Sequence, residues 1–249
     1  MTVELTVLTW NVQGSKGLDV ADVAAIVVAA RPDAVLIQEI GRRQATRLAR
    51  ALGMGSVRWC FKHRPPGARA EGLAIISPHD VAEVRSFVLR RAPRWSWRRR
   101  VGLAATVLNA HGAIDVVNVH LSPHDASRDR VLEAQNAVDA MHARGRIAIV
   151  GGDLNDGPDA PVHEVFRSAG WIDSSSLAPA GVGVGVNTAW RPGSRRGRSP
   201  DQRLDYILVP DTLDVVRSEW AVDVDELDRV ARLSDHVPVI ATVGLRPHR

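Results

Sequence analysis

The chain has one cysteine, and Cys60 sits between Trp59 and Phe61 in an apolar run. That excludes an internal disulfide and a zinc site built from cysteine alone, and it marks Cys60 as a core residue. Lysine is almost as scarce: of 32 basic residues all but Lys16 and Lys62 are arginine. No stretch approaches the roughly 18 apolar residues of a membrane span, and Met1 to Trp10 lacks a basic leader followed by a long apolar segment. The expectation is a soluble, cytoplasmic protein. A Gly-x-Ser-x-Gly elbow is missing, which argues against acyl transfer, and the histidines lack the short helical spacing of zinc enzymes. There is no internal repeat, no low-complexity tract and no linker, so residues 1–249 read as a single domain, monomeric by default.

What is present is enough for a large core: 45% hydrophobic residues in 249, with a net charge of +4 and a pI near 10.1. Because the positive charge is carried by arginine, whose planar fork matches phosphate oxygens in pairs, a phosphate-bearing partner is permitted. Short apolar runs predict strands at Val3 to Trp10, Ala34 to Gln38, Val57 to Lys62, Gly72 to Ser77, Val81 to Leu89, Val101 to Leu108, Ile114 to Val119, Ile147 to Val150, Tyr206 to Val209, Leu213 to Trp220 and Val237 to Val243. Helical spacing predicts a helix capped by Asp19 and ending before Pro32, then helices over Arg42 to Leu52 and Asp125 to Ala143, and a short one around Val162 and Phe166. The four strands between Val57 and Leu108 have no helix among them and read as an antiparallel meander. Ser174 to Gln202 reads as a long loop, and the segment after Trp220 as an acidic loop.

On this map the polar residues fall at strand ends. Asn11, Glu39, His120 and Asp153 directly follow apolar strands, whereas Asp205 and Asp235-His236 directly precede them. In a sheet with strands of both directions, some ends and some starts share one edge, so six segments can deliver side chains to one site. The clearest stretch is Gly151-Gly152-Asp153-Leu154-Asn155-Asp156. Its glycines permit a tight turn, and a carboxylate with an amide two residues on can hold a water between them.

These strings resemble the endonuclease/exonuclease/phosphatase superfamily, which includes DNase I, exonuclease III and neutral sphingomyelinase. The resemblance rests on Thr9-Trp10-Asn11, Gln38-Glu39, Glu71 to Ser77, Asn118 to Leu121, Gly151 to Asn155, Arg203 to Ile207 and Ser234 to Pro238, in the family's order. It implies an α/β fold, a four-layer α/β sandwich of two mixed sheets packed face to face with helices outside, and a divalent-metal phosphoesterase site at one end. Gln13 departs from the Asp found there in enzymes that cut abasic DNA, which argues against an abasic-repair role.

The chemistry agrees with the resemblance. Phosphodiester hydrolysis needs a hard cation, a water-activating carboxylate and donors for the phosphate. Asn11, Glu39 and Asp235 offer oxygens suited to Mg²⁺ or Mn²⁺. Asp153, oriented by Asn155, is the expected base; His236, steered by Asp205, and His120 are the expected donors. Two arginine-rich segments, Arg94 to Arg100 and the loop bearing Arg195, Arg196 and Arg198, suit a chain of phosphates, with Trp95 and Trp97 to stack on bases. The leading expectation is therefore a nuclease acting on DNA or RNA. The alternatives are a phosphodiesterase or phosphatase for a lipid, inositol or small soluble ester, and a catalytically silent nucleic-acid-binding module.

Overall fold

The computed structural model describes residues 3–64, 67, 69–91, 99–110, 112–123, 126–179, 187–191 and 199–245. Twelve strands among these form two six-stranded mixed sheets. The first contains β1 (Val3–Asn11), β2 (Ala34–Ile40), β3 (Ser56–His63), β4 (Glu71–Ser77), β11 (Asp214–Trp220) and β12 (Val239–Leu245), in the order β11-β12-β1-β2-β4-β3. The second contains β5 (Asp80–Arg90), β6 (Arg100–Asn109), β7 (Gly112–His120), β8 (Ala148–Asp153), β9 (Trp171–Asp173) and β10 (Asp205–Pro210), in the order β5-β6-β7-β8-β10-β9. Each sheet has one parallel pair at its centre, β1 with β2 and β7 with β8. Those central strands read as continuous apolar runs because both of their faces are covered.

Three clusters account for the layers. Leu5, Leu36 and Leu73 of the first sheet meet Leu103, Val116, Ile149 and Ile207 of the second, filling the space between the sheets. On the outer face of the first sheet lie α1 (Val20–Ala30), α2 (Arg42–Ala51) and α6 (Leu227–Leu233), through Val23, Val27, Leu48 and Val230. On the outer face of the second lie α3 (Ser127–His142) and α4 (Pro161–Ser168), through Ala134, Val138 and Phe166. Four layers result, as the resemblance implied. Asp19 caps α1 by accepting from the backbone N–H groups of Ala21 and Asp22, which satisfies two donors the helix itself leaves open.

The structure corrects four details of the sequence reading. The strands expected to form one meander divide instead: β3 pairs with β4 in one sheet, β5 with β6 in the other, and the chain crosses between sheets at the β4–β5 turn. Apolar content alone cannot assign a strand to a sheet, since both sheets offer the same inner face. The acidic segment after Trp220 carries a short 3₁₀ turn at Val224–Glu226 and then α6, whose Leu227, Val230 and Ala231 are buried. Within the expected long loop, Ser174–Leu177 forms a single helical turn (α5), and Ala189 bridges to Gln202 and to His236. Finally, Gly151 and Gly152 lie inside β8 rather than in a turn.

Candidate functional site

Asp153 is the last residue of β8, and its neighbours across the sheet are fixed by register. His120 is its partner in the parallel pair with β7, and Asp205 its partner in the antiparallel pair with β10. From the facing sheet, Asn11 at the end of β1 donates through Nδ2 to Asp153 Oδ2 at 3.0 Å. Asp153 Oδ1 accepts from the backbone N–H of Asn155 at 2.9 Å, while the Asn155 amide donates to the carbonyl of Leu121. Asn155 therefore orients Asp153 through its main chain rather than its side chain. Asp153 as a whole is 1% exposed.

The His236 segment is pinned to β1. Trp10 Nε1 donates to His236 O at 2.8 Å, and Ser234 Oγ donates to Asn11 O at 2.6 Å. His236 Nδ1 then meets Asp205 Oδ2 at 2.7 Å, and its Nε2 lies 3.8 Å from Asp153 Oδ2. Thr188, which no sequence signal singled out, donates to Asp205 Oδ2 at 2.8 Å and accepts from the Asp205 N–H. Asp235 Oδ2 accepts from Gln13 Nε2 at 2.6 Å, so the departure at Gln13 is joined to the site rather than lost from it.

Glu39 reaches the rim by distortion of the backbone. It has a φ of +55° next to a register shift between Ile37 and Ile40, a bulge that rotates the side chain out of the regular alternation. Gln13 and Asn155 also have positive φ, at 46° and 53°. Such conformations cost a non-glycine residue free energy and persist where surrounding contacts enforce them, and all three flank this site. Glu39 Oε1 lies 3.9 Å from His120 Nε2, and His120 Nε2 lies 3.6 Å from Asp153 Oδ2. Beneath the rim, Gln38 Nε2 donates to Asn118 Oδ1 and Thr9 Oγ1, and Asn118 donates to the carbonyls of Ile37 and Ala74. This buried polar stitch joins the two sheets directly under the site.

The electrostatics divide the groups. Burial pushes the Asp153 carboxyl above its usual range, with His236 opposing and Asp205 adding to the rise. Burial likewise raises Glu39, partly offset by Lys62. For His236, burial favours the neutral ring, but Asp205 and Asp153 outweigh it and lift the pKa to about 10, so the ring is an imidazolium at neutral pH. His120 goes the other way: burial, then Lys62 and Arg100, hold it well below the usual value and the ring is neutral.

Two buried cations complete the surroundings. Lys62, 2% exposed, sits 3.0 Å from His120 Nδ1 and 3.7 Å from Glu71 Oε1; burial and then Arg100 lower its pKa to about 8. Alternation along β3 accounts for it, because Lys62 shares the inward face with Cys60, whereas Phe61 points outward. A lysine at an inward strand position was the available signal. Arg100 lies at the start of β6, buried, with Nη1 lacking a hydrogen-bond partner among the described residues. Arg195, Arg196 and Arg198, and Arg94 with its tryptophans, lie outside the described residues.

A divalent cation suits this donor set. Glu39 and Asp153 flank His120 Nε2 at 3.9 and 3.6 Å, Asp153 and Asp235 flank His236 Nε2 at 3.8 Å each, and among the described residues Asp205 Oδ1 is buried with no hydrogen-bond partner. Hard oxygens carrying excess negative charge are what Mg²⁺ and Mn²⁺ bind. Ligand atoms of Asp153, Asp205 and His236 also lie within 4.8 Å of one another. In that trio His236 is hydrogen-bonded to Asp205 at 2.7 Å and faces Asp153 at 3.8 Å as a charge, an arrangement that suits an imidazolium between two carboxylates better than a metal cage.

The sequence profile of the Endonuclease/Exonuclease/phosphatase family matches residues 8–236. No curated protein matches the chain. Among solved structures, an endonuclease/exonuclease/phosphatase from Beutenbergia cavernae is 24% identical with a TM-score of 0.78, the match covering 97% of this chain and 72% of that one. A family protein from Bacteroides thetaiotaomicron is 19% identical with a TM-score of 0.79, covering 99% of both chains. The mannosyl-6-phosphatase Bt3783 of the same organism is 21% identical with a TM-score of 0.74, covering 96% of this chain and 99% of that one.

Proposed function

The chain belongs to the endonuclease/exonuclease/phosphatase family and is a metal-dependent hydrolase of phosphoesters, and on that premise we propose that it cleaves phosphodiester bonds in DNA or RNA, with Mg²⁺ or Mn²⁺ as the cation and residues 1–249 as one catalytic domain. The observation that carries the reading is the convergence on Asp153 of Asn11, His120, Asp205 and His236 from four other segments and both sheets. A cation held by Asn11 Oδ1, Glu39 and Asp235 would supply Lewis acidity toward a phosphoryl oxygen. Asp153, its two oxygens fixed by Asn11 and the Asn155 N–H, takes the proton of the attacking water, and its raised pKa suits a base working near neutrality. His236, held charged by Asp205, donates to the phosphoryl oxygens as negative charge gathers there. Neutral His120 offers a further ring N–H to the phosphate or the leaving oxygen.

A basic chain with a pI near 10.1, whose charge is almost all arginine, supports a polyanionic substrate. A second reading, hydrolysis of a terminal phosphate, is favoured by the buried Lys62 and Arg100 and is in keeping with the phosphatase named among similar folds. The deciding experiment compares single-stranded DNA, duplex DNA, RNA, bis-p-nitrophenyl phosphate and p-nitrophenyl phosphate, each with Mg²⁺, Mn²⁺ or EDTA. The expected outcome is metal-dependent cutting of oligonucleotides, with binding that weakens steeply with salt. Turnover of the monoester alone, with no oligonucleotide binding, would replace the nuclease reading by the phosphatase one.

A further inference from the structure

We infer that Lys62, together with Arg100, receives the phosphoryl oxygens of the substrate in this chain, an inference that rests on the phosphoesterase reading and adds Lys62 to it. The argument begins with unused donors. An ammonium has three N–H groups, and among the described residues Lys62 has a hydrogen-bond acceptor only in the His120 ring, at 3.0 Å from Nδ1 and 3.4 Å from Nε2. Its ion-pair partner Glu71 is 3.7 Å away, too far for a hydrogen bond, and Glu71 Oε1 is already met by His63 Nε2 at 2.9 Å. Among the described residues Arg100 Nη1 is also buried without a hydrogen-bond partner. Leaving charged donors dry and unbonded is costly, and the cost is relieved when an anion supplies the missing acceptors.

Position makes the anion the substrate's own. Lys62 is the next-to-last residue of β3 on the inward face of the first sheet, and Arg100 begins β6 in the facing sheet, beside the end of β7 that carries His120. Lys62 feels Arg100, and both cations feel Glu39 and Asp153 besides their nearer carboxylates, Glu71 for Lys62 and Glu133 for Arg100, so both stand close enough to the acidic centre to sense its charge. Burial does not separate Lys62 from the site: its 2% exposure equals that of Asn11 and compares with 1% for Asp153. Non-bridging phosphoryl oxygens are the acceptors common to internal diesters and terminal monoesters, and a terminal phosphate, with the larger charge, gains more from two cations.

Because the chain has only two lysines, the test can be made on the unmutated protein. With lysine labelled by ¹⁵N at Nζ and Mg²⁺ in excess, titration with inorganic phosphate should move the buried Lys62 signal and leave that of exposed Lys16 in place. Lys62→Met keeps length and volume but removes the charge, and it should weaken phosphate binding by about 10- to 100-fold, with Lys62→Arg falling between. The thermal midpoint of Lys62→Met should hold or rise, since an under-bonded buried charge has been removed. A lysine that merely braces Glu71 predicts the reverse, a lowered midpoint with phosphate affinity intact. That result, or a stationary Lys62 signal while phosphate binds, overturns the inference and leaves the phosphoesterase reading standing. Wild-type protein that neither binds phosphate nor hydrolyses any ester overturns both. The ratio of monoester to diester turnover in Lys62→Met then tells the source of the phosphate, a terminal group losing more than an internal one.

Discussion

At the scale of single residues, Asp153 and His236 are both buried, yet they respond differently to substitution. Asp153→Asn preserves shape and removes a carboxylate that stands beside Asp205, so turnover should fall by about 10² to 10⁴ while the thermal midpoint changes little. Recovery of wild-type turnover in that variant, measured on a metal-saturated sample, would remove Asp153 from the role of base. His236→Ala is more damaging to the fold than a rim position suggests, because it leaves Asp205 Oδ2 without its cation; a loss of about 3 kcal/mol is expected in a denaturant titration. The loss should depend on pH in a stated direction. The folded pKa of His236 is raised to about 10 from an unfolded value near 6.5, so its contribution is complete below about pH 6.5 and disappears as pH rises through 10. The stability gap between wild type and His236→Ala, both in EDTA, should therefore narrow over that interval. A gap that stayed constant over that interval would mean the ring is already neutral in the folded protein.

At the scale of elements, the glycine pair shows how sequence and structure divide the explanation. Gly-Gly before a carboxylate suggested a turn, but Gly152 lies within β8 at a φ of +156°, and a Cβ there would stand 2.0 Å from the carbonyl oxygen of Val119. The glycine is required by the close approach of β7 and β8, the same approach that sets His120 opposite Asp153. Gly152→Ala should cost about 1 to 3 kcal/mol in denaturant and should lower activity as well, since relieving the clash moves the two strand ends apart. A variant with unchanged stability would show that the strands can separate freely. The bulge in β2 belongs here too: without the shift between Ile37 and Ile40, strict alternation would not aim Glu39 as it does. The residues at strand ends were legible because they interrupt apolar runs. Glu39's distortion, Thr188 beneath Asp205 and the sharing of Lys62 between His120 and Glu71 were not, because each depends on chain segments far apart in sequence.

At the scale of the whole molecule, two sheets hold acidic groups against one another across a rim, so stability and metal binding are linked. Mg²⁺ that binds only the folded state should stabilise it by about 2.7 kcal/mol at a concentration of 100 Kd, and the midpoint should drop again on addition of EDTA. In Glu39→Gln the Mg²⁺-dependent shift should shrink, because the variant keeps the shape but loses a charge for the cation. Calorimetric scans with and without Mg²⁺ read both effects, and a full shift in Glu39→Gln would take Glu39 out of the cation site. Among the described residues no helix is long and apolar enough to cross a membrane.

The sequence by itself determined every strand but the three-residue β9, most of the helices, and the polar residues that close the apolar runs, because burial on two faces leaves a pattern that neighbouring residues carry alone, whereas β9 is too short to show one. It also determined the family, through short strings whose order along the chain is distinctive. Only the tertiary structure decided which sheet each strand joins, that Asp153 lies between His120 and Asp205, that Gln38 and Asn118 stitch the sheets together, and that Lys62 and Arg100 approach the acidic centre from opposite sheets. Those facts follow from register and sheet packing, where one residue of slip turns a side chain to the opposite face, and no local stretch of sequence specifies them.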